Sequence, residues 1–578
     1  MRSTRMSLGD LWVVPALLLA ATFLWMLHAQ AWDLGGRSPI LNYDTAQYAL
    51  AARELAWHHH LATPFALPID LVRQSQPPWP LAAVQPGMVL AEALVLKLVP
   101  AQGATAGSDP RAWLTLILPF CCFLMIAGSF ALSMRHLFAR WWPEAPPWGW
   151  RVTGFLLGMM FVLDPEAQHF AVGGFTELPF VLGLVFAFLG LALEMPSHTP
   201  LIFGLALGLT GLFRANMLWL APVFAVAGAW AAPRPRRVRT FVLVMLGYVL
   251  MALPWWFYKY RAFGDPGWDL TKFVLWDGVG GRTWFSLYHV TEMPQLPHGM
   301  AALHLLGAKA LKNAPTLLMD MLLGPRGLWI GGALLYLVTL KPARPLAAAV
   351  IVALIAATLG VATSALSIPW LRYLFPTRIM LEPIGALALA TLLWRMPAAA
   401  LTPRSRAGLI GALALLALLW GGWSSVRGIA EARAASFDRG TPASTTLTAL
   451  SIALNERLTA GELVMSNLGP ALAWQTNHPV LHLALSPRDV DACRRRIDFR
   501  HIVLAFRDSQ HAWAPWSEIV TTAGAAHTVP DLHVAAEHRF HTVDGFTIVW
   551  LELAPLPPTL AARPAAQAGS QPAAFAAR

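Results

Sequence analysis

Charged residues are scarce in this chain of 578 residues. Only 13% of the residues are Asp, Glu, Lys or Arg, and 56% are apolar, whereas the charged share of soluble domains is about a quarter. This shortage excludes an ordinary soluble protein, because there are too few charges to cover a water-exposed surface of this size. The composition instead predicts an integral membrane protein.

Cysteine is nearly absent as well. Two of the three cysteines, Cys121 and Cys122, are neighbours in an apolar run, and Cys493 is far along the chain, which excludes a disulfide framework or a Cys-based metal centre. Three consecutive histidines occupy 58–60 (His58, His59, His60), but neighbours on a helix point roughly 100° apart and cannot all ligate one ion. We predict no metal site from the residues, and a need for a divalent cation stays open.

Apolar runs of membrane-spanning length recur along the chain. A span takes roughly 17 to 25 mostly apolar residues, and about eleven runs approach that length. The sequence therefore predicts a polytopic α-helical membrane protein. The runs are 11–30, 112–138, 152–170, 177–194, 200–213, 217–232, 240–258, 326–340, 346–366, 374–395 and 407–425.

Basic residues indicate the orientation of these spans. The net charge is +11, and the Lys and Arg residues concentrate in alternate short connections, such as "RPRRVR" at 234–239, as expected on the cytoplasmic side. This pattern predicts a cytoplasmic N-terminus and, with an odd number of spans, a location outside the cytoplasm for everything after about residue 426. Because topology accounts for the basic excess, we predict no nucleic-acid partner.

Two connections are much longer than the others: 31–111, here called the first long connection, and 259–325, the second long connection. Long connections on one side of a membrane are where function is usually placed, since the spans supply a rigid base. The first also contains an apolar piece at 84–99, and the second contains a helical-looking piece at 300–322. We expect the functional site to lie on this side of a transmembrane module that covers 1–430.

The composition changes after the last apolar run. Strand-length runs such as "HIVLAF" (501–506) and "FTIVWLEL" (546–553) alternate with polar helical pieces over 440–555, which predicts a small α/β domain outside the cytoplasm. We call it the C-terminal domain. The tail 556–578, rich in Ala, Pro and Gln, is predicted to be disordered.

The first long connection opens with "LNYDTAQYALAAREL" (41–55), an amphipathic helix with Asp44 in its first turn. A carboxylate there can simply stabilise the helix N-terminus, or it can serve chemistry. Taken alone, the residue type does not choose between the two.

Six stretches follow one another in a fixed order: "YDTAQYALAAREL", "QPGMVLAEALVLKLV", "LTGLFRANMLWLAPV" (209–223), "LPWWFYKYRAFGDP" (253–266), "WLRYLFP" (370–376) and "GELVMSNLGPALAWQTNHPVLHL" (461–483). Together they resemble GT-C glycosyltransferases, in particular the bacterial relatives of protein O-mannosyltransferases and of the lipid A aminoarabinose transferase (glycosyltransferase families 39 and 83). The resemblance covers most of the chain from 11 to about 510, and the order of the motifs carries it better than any one of them.

The resemblance implies a function and a catalytic residue. It implies transfer of a sugar from a polyprenyl-phosphate donor to a lipid, glycan or protein acceptor at the outer face of the bacterial inner membrane, with the C-terminal domain in the periplasm. Acceptor recognition, partner docking and a lid stay open as roles of that domain. Asp44 matches the family's catalytic carboxylate, a group that can accept the proton of an acceptor hydroxyl. Many relatives carry a second acid beside it, where this chain has Thr45, so a role for a different acid is open. Glu177, in "FTELP", looks most like it, and Asp164 and Glu166 are further candidates.

The phosphate of such a donor needs cationic partners. The residues that the resemblance and their positions at span ends suggest are Arg53, Arg214, Lys259, Arg261, Arg372 and Tyr373, with Arg378 nearby. Simple interfacial anchoring is the alternative for Lys259 and Arg261. Two other functions compete with the enzyme: a transporter or flippase of a lipid-linked substrate, and an inactive scaffold for envelope assembly.

Overall fold

A computed structural model of the chain describes residues 12–32, 43–82, 84–99, 110–141, 147–322, 325–339, 343–381, 384–385, 402–437, 444–476, 478–507, 516–529 and 531–555. The predicted tail 556–578 and the last part of the predicted span 374–395 lie outside these residues. A helical bundle, the helices of the two long connections and a C-terminal sheet make up the described fold.

Helices account for most of the chain up to residue 437. Among the helices that the structure describes, five are long and apolar enough to cross a membrane: Val13–Ala31, Trp113–Leu137, Arg234–Phe263, Arg344–Leu366 and Gly411–Arg433. Shorter apolar helices accompany them. The helices are α1 (Val13–Ala31), α2 (Tyr43–His58), α3 (Pro86–Leu98), α4 (Ile117–Trp141), α5 (Pro147–Val162), α6 (Pro165–Gly173), α7 (Glu177–Ala192), α8 (Met195–His198), α9 (Pro200–Phe213), α10 (Met217–Ala231), α11 (Arg237–Phe263), α12 (Thr271–Val274), α13 (Trp284–Tyr288), α14 (Gly299–Leu322), α15 (Pro325–Thr339), α16 (Arg344–Leu366) and α17 (Pro403–Phe437).

Glycines allow α9 and α11 to approach each other closely. A Cβ atom on Gly204 would lie 2.1 Å from the carbonyl oxygen of Val244, and one on Gly247 would lie 2.4 Å from that of Leu201. Small residues at such crossings are typical of membrane helices, where packing replaces the hydrophobic effect as the main source of association. This crossing involves the first half of α9, and Arg214 follows the last residue of the same helix.

One predicted span is wrong. The sequence predicts a single span over 152–170, but the structure divides it into α5 and α6. The cause is Asp164, whose Oδ1 accepts hydrogen bonds from the backbone N–H groups of Glu166 (2.9 Å) and Ala167 (3.0 Å), while Pro165 occupies the first helical position. An N-cap followed by proline starts a new helix, and hydropathy averaged over the run hides this break.

In the described residues, eight strands form two sheets: β1 (Ala62–Thr63), β2 (Phe65–Ala66), β3 (Trp79–Pro80), β4 (Val464–Ser466), β5 (Val480–His482), β6 (His501–Phe506), β7 (Val534–His541) and β8 (Thr547–Leu553). β1 and β3 pair as a small antiparallel ribbon, and the other six have the order β2-β5-β4-β6-β8-β7. The helices of this region are α18 (Ser444–Arg457), α19 (Pro470–Thr476), α20 (Pro487–Arg494), α21 (Trp516–Thr521) and α22 (Ala525–Thr528). The predicted polytopic helical fold with a small C-terminal sheet region is thus confirmed.

One strand of the larger sheet comes from the first long connection. β2 pairs in parallel with β5, with Phe65 opposite Val480 and Ala66 opposite Leu481, and the Val480 N–H donates to the carbonyl of Pro64 at 2.9 Å. The sequence gives no hint of this pairing, because a two-residue strand is too short to show the alternation that identifies strands. The first long connection and the C-terminal domain therefore share one sheet.

Candidate functional site

Asp44 lies in the first turn of α2 and is paired with Arg372. The Arg372 Nη2 donates to Asp44 Oδ2 at 2.8 Å, and 34% of the Asp44 side chain stays exposed. The carboxylate is thus both fixed by a cation and accessible from outside the protein. This combination suits a group that meets a substrate.

Arg372 joins two acids that come from different parts of the chain. It stands on the 3-10 turn Leu371–Leu374 after α16, and its Nε donates to Glu177 Oε1 at 2.5 Å. Burial by itself lowers the pKa of Arg372, but the carboxylates of Glu177 and Asp44 outweigh burial and raise this pKa above its ordinary value. The guanidinium therefore stays charged, and 27% of the side chain is exposed.

Glu177 holds two guanidinium groups with a single oxygen. It is the first residue of α7 and is fully buried, and its Oε1 lies 2.8 Å from Arg214 Nη1 as well as 2.5 Å from Arg372 Nε. Arg214 follows the end of α9, and its Cζ lies 5.8 Å from the centre of the Tyr373 ring. The structure thus brings together five residues predicted for the site, Asp44, Glu177, Arg214, Arg372 and Tyr373; we call them the ion-pair cluster.

Two aromatic rings beside the cluster were missed by the sequence analysis. The Cζ of Arg372 lies 4.3 Å from the centre of the Phe175 ring and 5.9 Å from that of Phe170. A guanidinium stacked on an aromatic ring keeps one face away from water and its orientation fixed. The available signal was the position of Phe175, two residues before Glu177 in the same connection.

Thr45 occupies the position where many relatives carry a second acid. Its Oγ1 donates to the carbonyl of Gly173 at 2.5 Å, and the side chain is fully buried. Gly174, which follows Gly173 in the chain, has φ +71°, and a Cβ atom there would lie 2.7 Å from Thr45 Cγ2. Thr45 therefore attaches the first turn of α2 to the end of α6, and a carboxylate in its place would face a carbonyl oxygen.

A second group of charges involves the other candidate acids. Arg378 is buried and lies 2.6 Å from Asp164 Oδ2 and 3.0 Å from Glu166 Oε2. Since Asp164 also caps α6, this group anchors the beginning of α6 as Thr45 anchors its end. Both acids are therefore engaged in holding the helix that carries Gly173.

The remaining predicted phosphate ligands have other contacts. Arg53 donates to the carbonyls of Ala473 (3.3 Å) and Trp474 (3.1 Å), and it lies nine positions after Asp44 on α2, about 13 Å along the helix axis. Lys259 Nζ lies 3.7 Å from Asp269 Oδ2. Arg261 is exposed, with its Cζ 5.8 Å from the centre of the Phe257 ring.

No metal-binding group stands out in the part of the chain that the structure describes. There, no three His, Cys, Asp or Glu side chains come together as ligands for one ion. His58 is the last residue of α2, and His59 has φ +59°, so the run of three histidines leaves the helix at its first member. Their side chains are exposed.

Comparisons with known proteins show the fold. No protein-family model and no curated protein matches the sequence. Among solved structures, ArnT from Cupriavidus metallidurans bound to undecaprenyl phosphate is similar, with a TM-score of 0.54, 11% identity, and coverage of 93% of this chain and 98% of that one. The same ArnT in the apo state has a TM-score of 0.53 and 12% identity, and the match covers 94% of this chain and 98% of that one. The Archaeoglobus fulgidus oligosaccharyltransferase complex with Zn and sulfate has a TM-score of 0.51 and 12% identity, and the match covers 91% of this chain and 72% of that one. The GT-C resemblance is thus confirmed at the level of the fold.

Proposed function

We propose that the chain is an integral membrane glycosyltransferase that moves a sugar from a polyprenyl-phosphate donor to an envelope acceptor. The observation that carries this proposal is the ion-pair cluster, in which an exposed carboxylate, Asp44, shares Arg372 with a buried one, Glu177. A base for the acceptor and a cation for the donor phosphate then lie side by side. Fold likeness to an ArnT bound to undecaprenyl phosphate supports the choice of donor.

The reaction is a direct displacement at the anomeric carbon. The acceptor oxygen forms a bond to that carbon while the bond from the carbon to the phosphate oxygen breaks, and the electron pair of the broken bond leaves with the phosphate. The acceptor hydroxyl gives its proton to the Asp44 carboxylate, which acts as general base. One inversion of configuration follows, and a polyprenyl phosphate is released.

The phosphate is stabilised by the two arginines of the ion-pair cluster. Arg372 uses its Nε and Nη2 for the carboxylates, and Arg214 uses its Nη1. The other N–H groups of these forked side chains can donate to phosphate oxygens, for which the guanidinium geometry is well suited. We assign Glu177 the narrower role of a positioning residue, because a fully buried carboxylate that two cations hold on one oxygen is poorly placed to meet an acceptor.

The same proposal includes the location. A multi-pass protein of the bacterial inner membrane, with its N-terminus in the cytoplasm and its C-terminal domain in the periplasm, places Asp44 at the outer face. The short basic connections support this orientation. The donor lipid and the acceptor would then both reach the ion-pair cluster from the membrane surface.

The test compares Asp44→Asn with Glu54→Gln, a matched variant on the same helix. A deletion strain complemented with each variant is analysed by mass spectrometry of its envelope lipids, glycans and glycoproteins. We expect wild type and Glu54→Gln to restore the glycosylated product that the deletion removes, and Asp44→Asn to reach normal amounts in the membrane without restoring it. Full restoration by Asp44→Asn would show that Asp44 is not the base.

A further inference from the structure

Tyr43, the neighbour of the proposed base, is packed against the C-terminal domain. Its ring centre lies 5.7 Å from that of Phe65 on β2 and 5.6 Å from that of His482 on β5, with interplanar angles of 89° and 73°. Phe65 and His482 are in turn 6.0 Å apart at 80°. Edge-to-face arrangements of this kind are favourable for aromatic rings, so the three rings support one another.

His482 is held from its other side as well. Its ring centre lies 4.5 Å from that of His289 at 87°, and His289 Nδ1 is 2.6 Å from the carbonyl oxygen of Leu483. His482 is buried at the end of β5, next to the point where β2 joins the sheet. The ring that supports Tyr43 is therefore fixed by the sheet and by the second long connection together.

A glycine closes the space under the three rings. Gly469 has φ +50°, and a Cβ atom on it would lie 2.9 Å from His482 Cδ2, 3.2 Å from Phe65 Cε2 and 3.4 Å from Tyr43 Cε2. Backbone of the C-terminal domain thus reaches all three rings at once. Even a methyl group at this position would have to displace His482.

Arg53 attaches α2 to the C-terminal domain at a second point. Besides donating to the carbonyls of Ala473 and Trp474, its guanidinium lies 4.7 Å from the centre of the Trp474 ring. The helix is thus held in its first turn by Tyr43 and more than two turns later by Arg53. Two attachments of this kind fix both the axial position of α2 and its rotation.

We infer that the C-terminal domain sets the position of Asp44 through the contact between His482 and Tyr43, which makes His482 a positioning residue for the transfer. The inference rests on the proposed function and deepens it. Displacing a catalytic group by about 1 Å can cost roughly 100-fold in rate. Loss of the ring next to the Asp44 turn should therefore slow the chemistry more than it weakens donor binding by Arg214 and Arg372.

The test compares His482→Ala with Leu481→Ala. Successive residues of a strand face opposite sides of the sheet, so Leu481, which is fully buried and packs with Leu483 and Met465 on the far side, is a matched control that does not touch Tyr43. Product formation in membranes, normalised to folded protein, is measured together with melting temperature and with binding of undecaprenyl phosphate by native mass spectrometry.

We expect His482→Ala to lower product formation at least tenfold, with undecaprenyl phosphate binding within twofold of wild type. Leu481→Ala should lower the melting temperature without lowering activity per folded molecule, and His482→Phe, which keeps a ring, should recover most of the activity. Equal activity per folded molecule in His482→Ala and Leu481→Ala would overturn the inference.

A second pair of variants approaches the contact from α2. Tyr43→Leu removes the ring without changing the sheet and should reproduce the loss, whereas Tyr43→Phe should retain most activity; this pair decides the question if His482→Ala does not fold. Wild-type activity in Tyr43→Leu would overturn the inference. The Asp44→Asn variant is measured in parallel, so that activity in that variant points to failure of the proposed function rather than of the positioning role.

Discussion

Replacing Arg372 tests the ion-pair cluster most directly. The guanidinium makes two charge-assisted hydrogen bonds, 2.5 Å to Glu177 and 2.8 Å to Asp44. A hydrogen bond to a charged group contributes roughly 1.5–3 kcal/mol. The low end of that range applies to the Asp44 bond, because the two side chains are 27% and 34% exposed.

Two substitutions separate charge from geometry. Arg372→Lys keeps the charge, but a single ammonium cannot reproduce the planar fork, so we expect it to lose one bond, about 1.5–2 kcal/mol, or a 10- to 30-fold fall in rate. Arg372→Ala loses both bonds and the donors for phosphate, which should cost about 4 kcal/mol, or roughly 1,000-fold. The melting temperature should fall as well, because both bonds are present in the folded protein, but the loss is limited because Glu177 keeps Arg214 at 2.8 Å.

The assay follows product formation in membranes that contain equal amounts of folded protein, with undecaprenyl phosphate binding measured on the purified variants. Arg372→Ala should weaken this binding, whereas Glu54→Gln serves as the unchanged reference. A wild-type rate in Arg372→Lys would refute the reasoning, since it would mean that a point charge suffices and that the bridge between the two carboxylates has no catalytic consequence.

Two further predictions concern Thr45 and Asp70. Thr45→Glu should reduce folded yield and abolish product formation, because burying an unpaired carboxylate against the Gly173 carbonyl costs about 3 kcal/mol or more. Thr45→Ser keeps the hydroxyl and should stay active. An active, stable Thr45→Glu would contradict the attachment of α2 to α6 through Thr45. Burial raises the pKa of Asp70 from 3.8 to about 6, although the Leu67 N–H opposes the shift. The protonated Asp70 carboxyl therefore stabilises the folded protein below pH 3.8, and this stabilisation is lost as the pH rises through about 6. The melting temperature of wild type should decline over this interval relative to that of Asp70→Asn. Identical pH profiles of the two proteins would contradict the raised pKa of Asp70.

The helices were predictable because span length and hydropathy are local properties. The predicted runs 200–213 and 217–232 correspond to α9 (Pro200–Phe213) and α10 (Met217–Ala231) within a residue at each end. The run 152–170 failed because a single side chain, Asp164, starts a new helix within it. Averages over a window do not register a cap, whereas the pair Asp164 and Pro165 is visible in the sequence once it is looked for.

In the candidate site, too, local features could be predicted from the sequence and long-range contacts could not. Asp44, Glu177 and Arg372 could each be named from motifs, but the bonds that join them span 195 and 328 residues, and nothing local in the sequence specifies such pairs. Arg53 shows the converse: its position on α2 suggested a phosphate ligand, yet its guanidinium donates to the carbonyls of Ala473 and Trp474 on α19. A charged residue close to Asp44 in the sequence can thus attach the C-terminal domain instead of binding a ligand. The two-residue strand β2 also attaches this domain, through its backbone pairing with β5. The contacts between the C-terminal domain and α2, the helix of the proposed base, therefore could not be predicted from the sequence, although they extend along more than two turns of that helix.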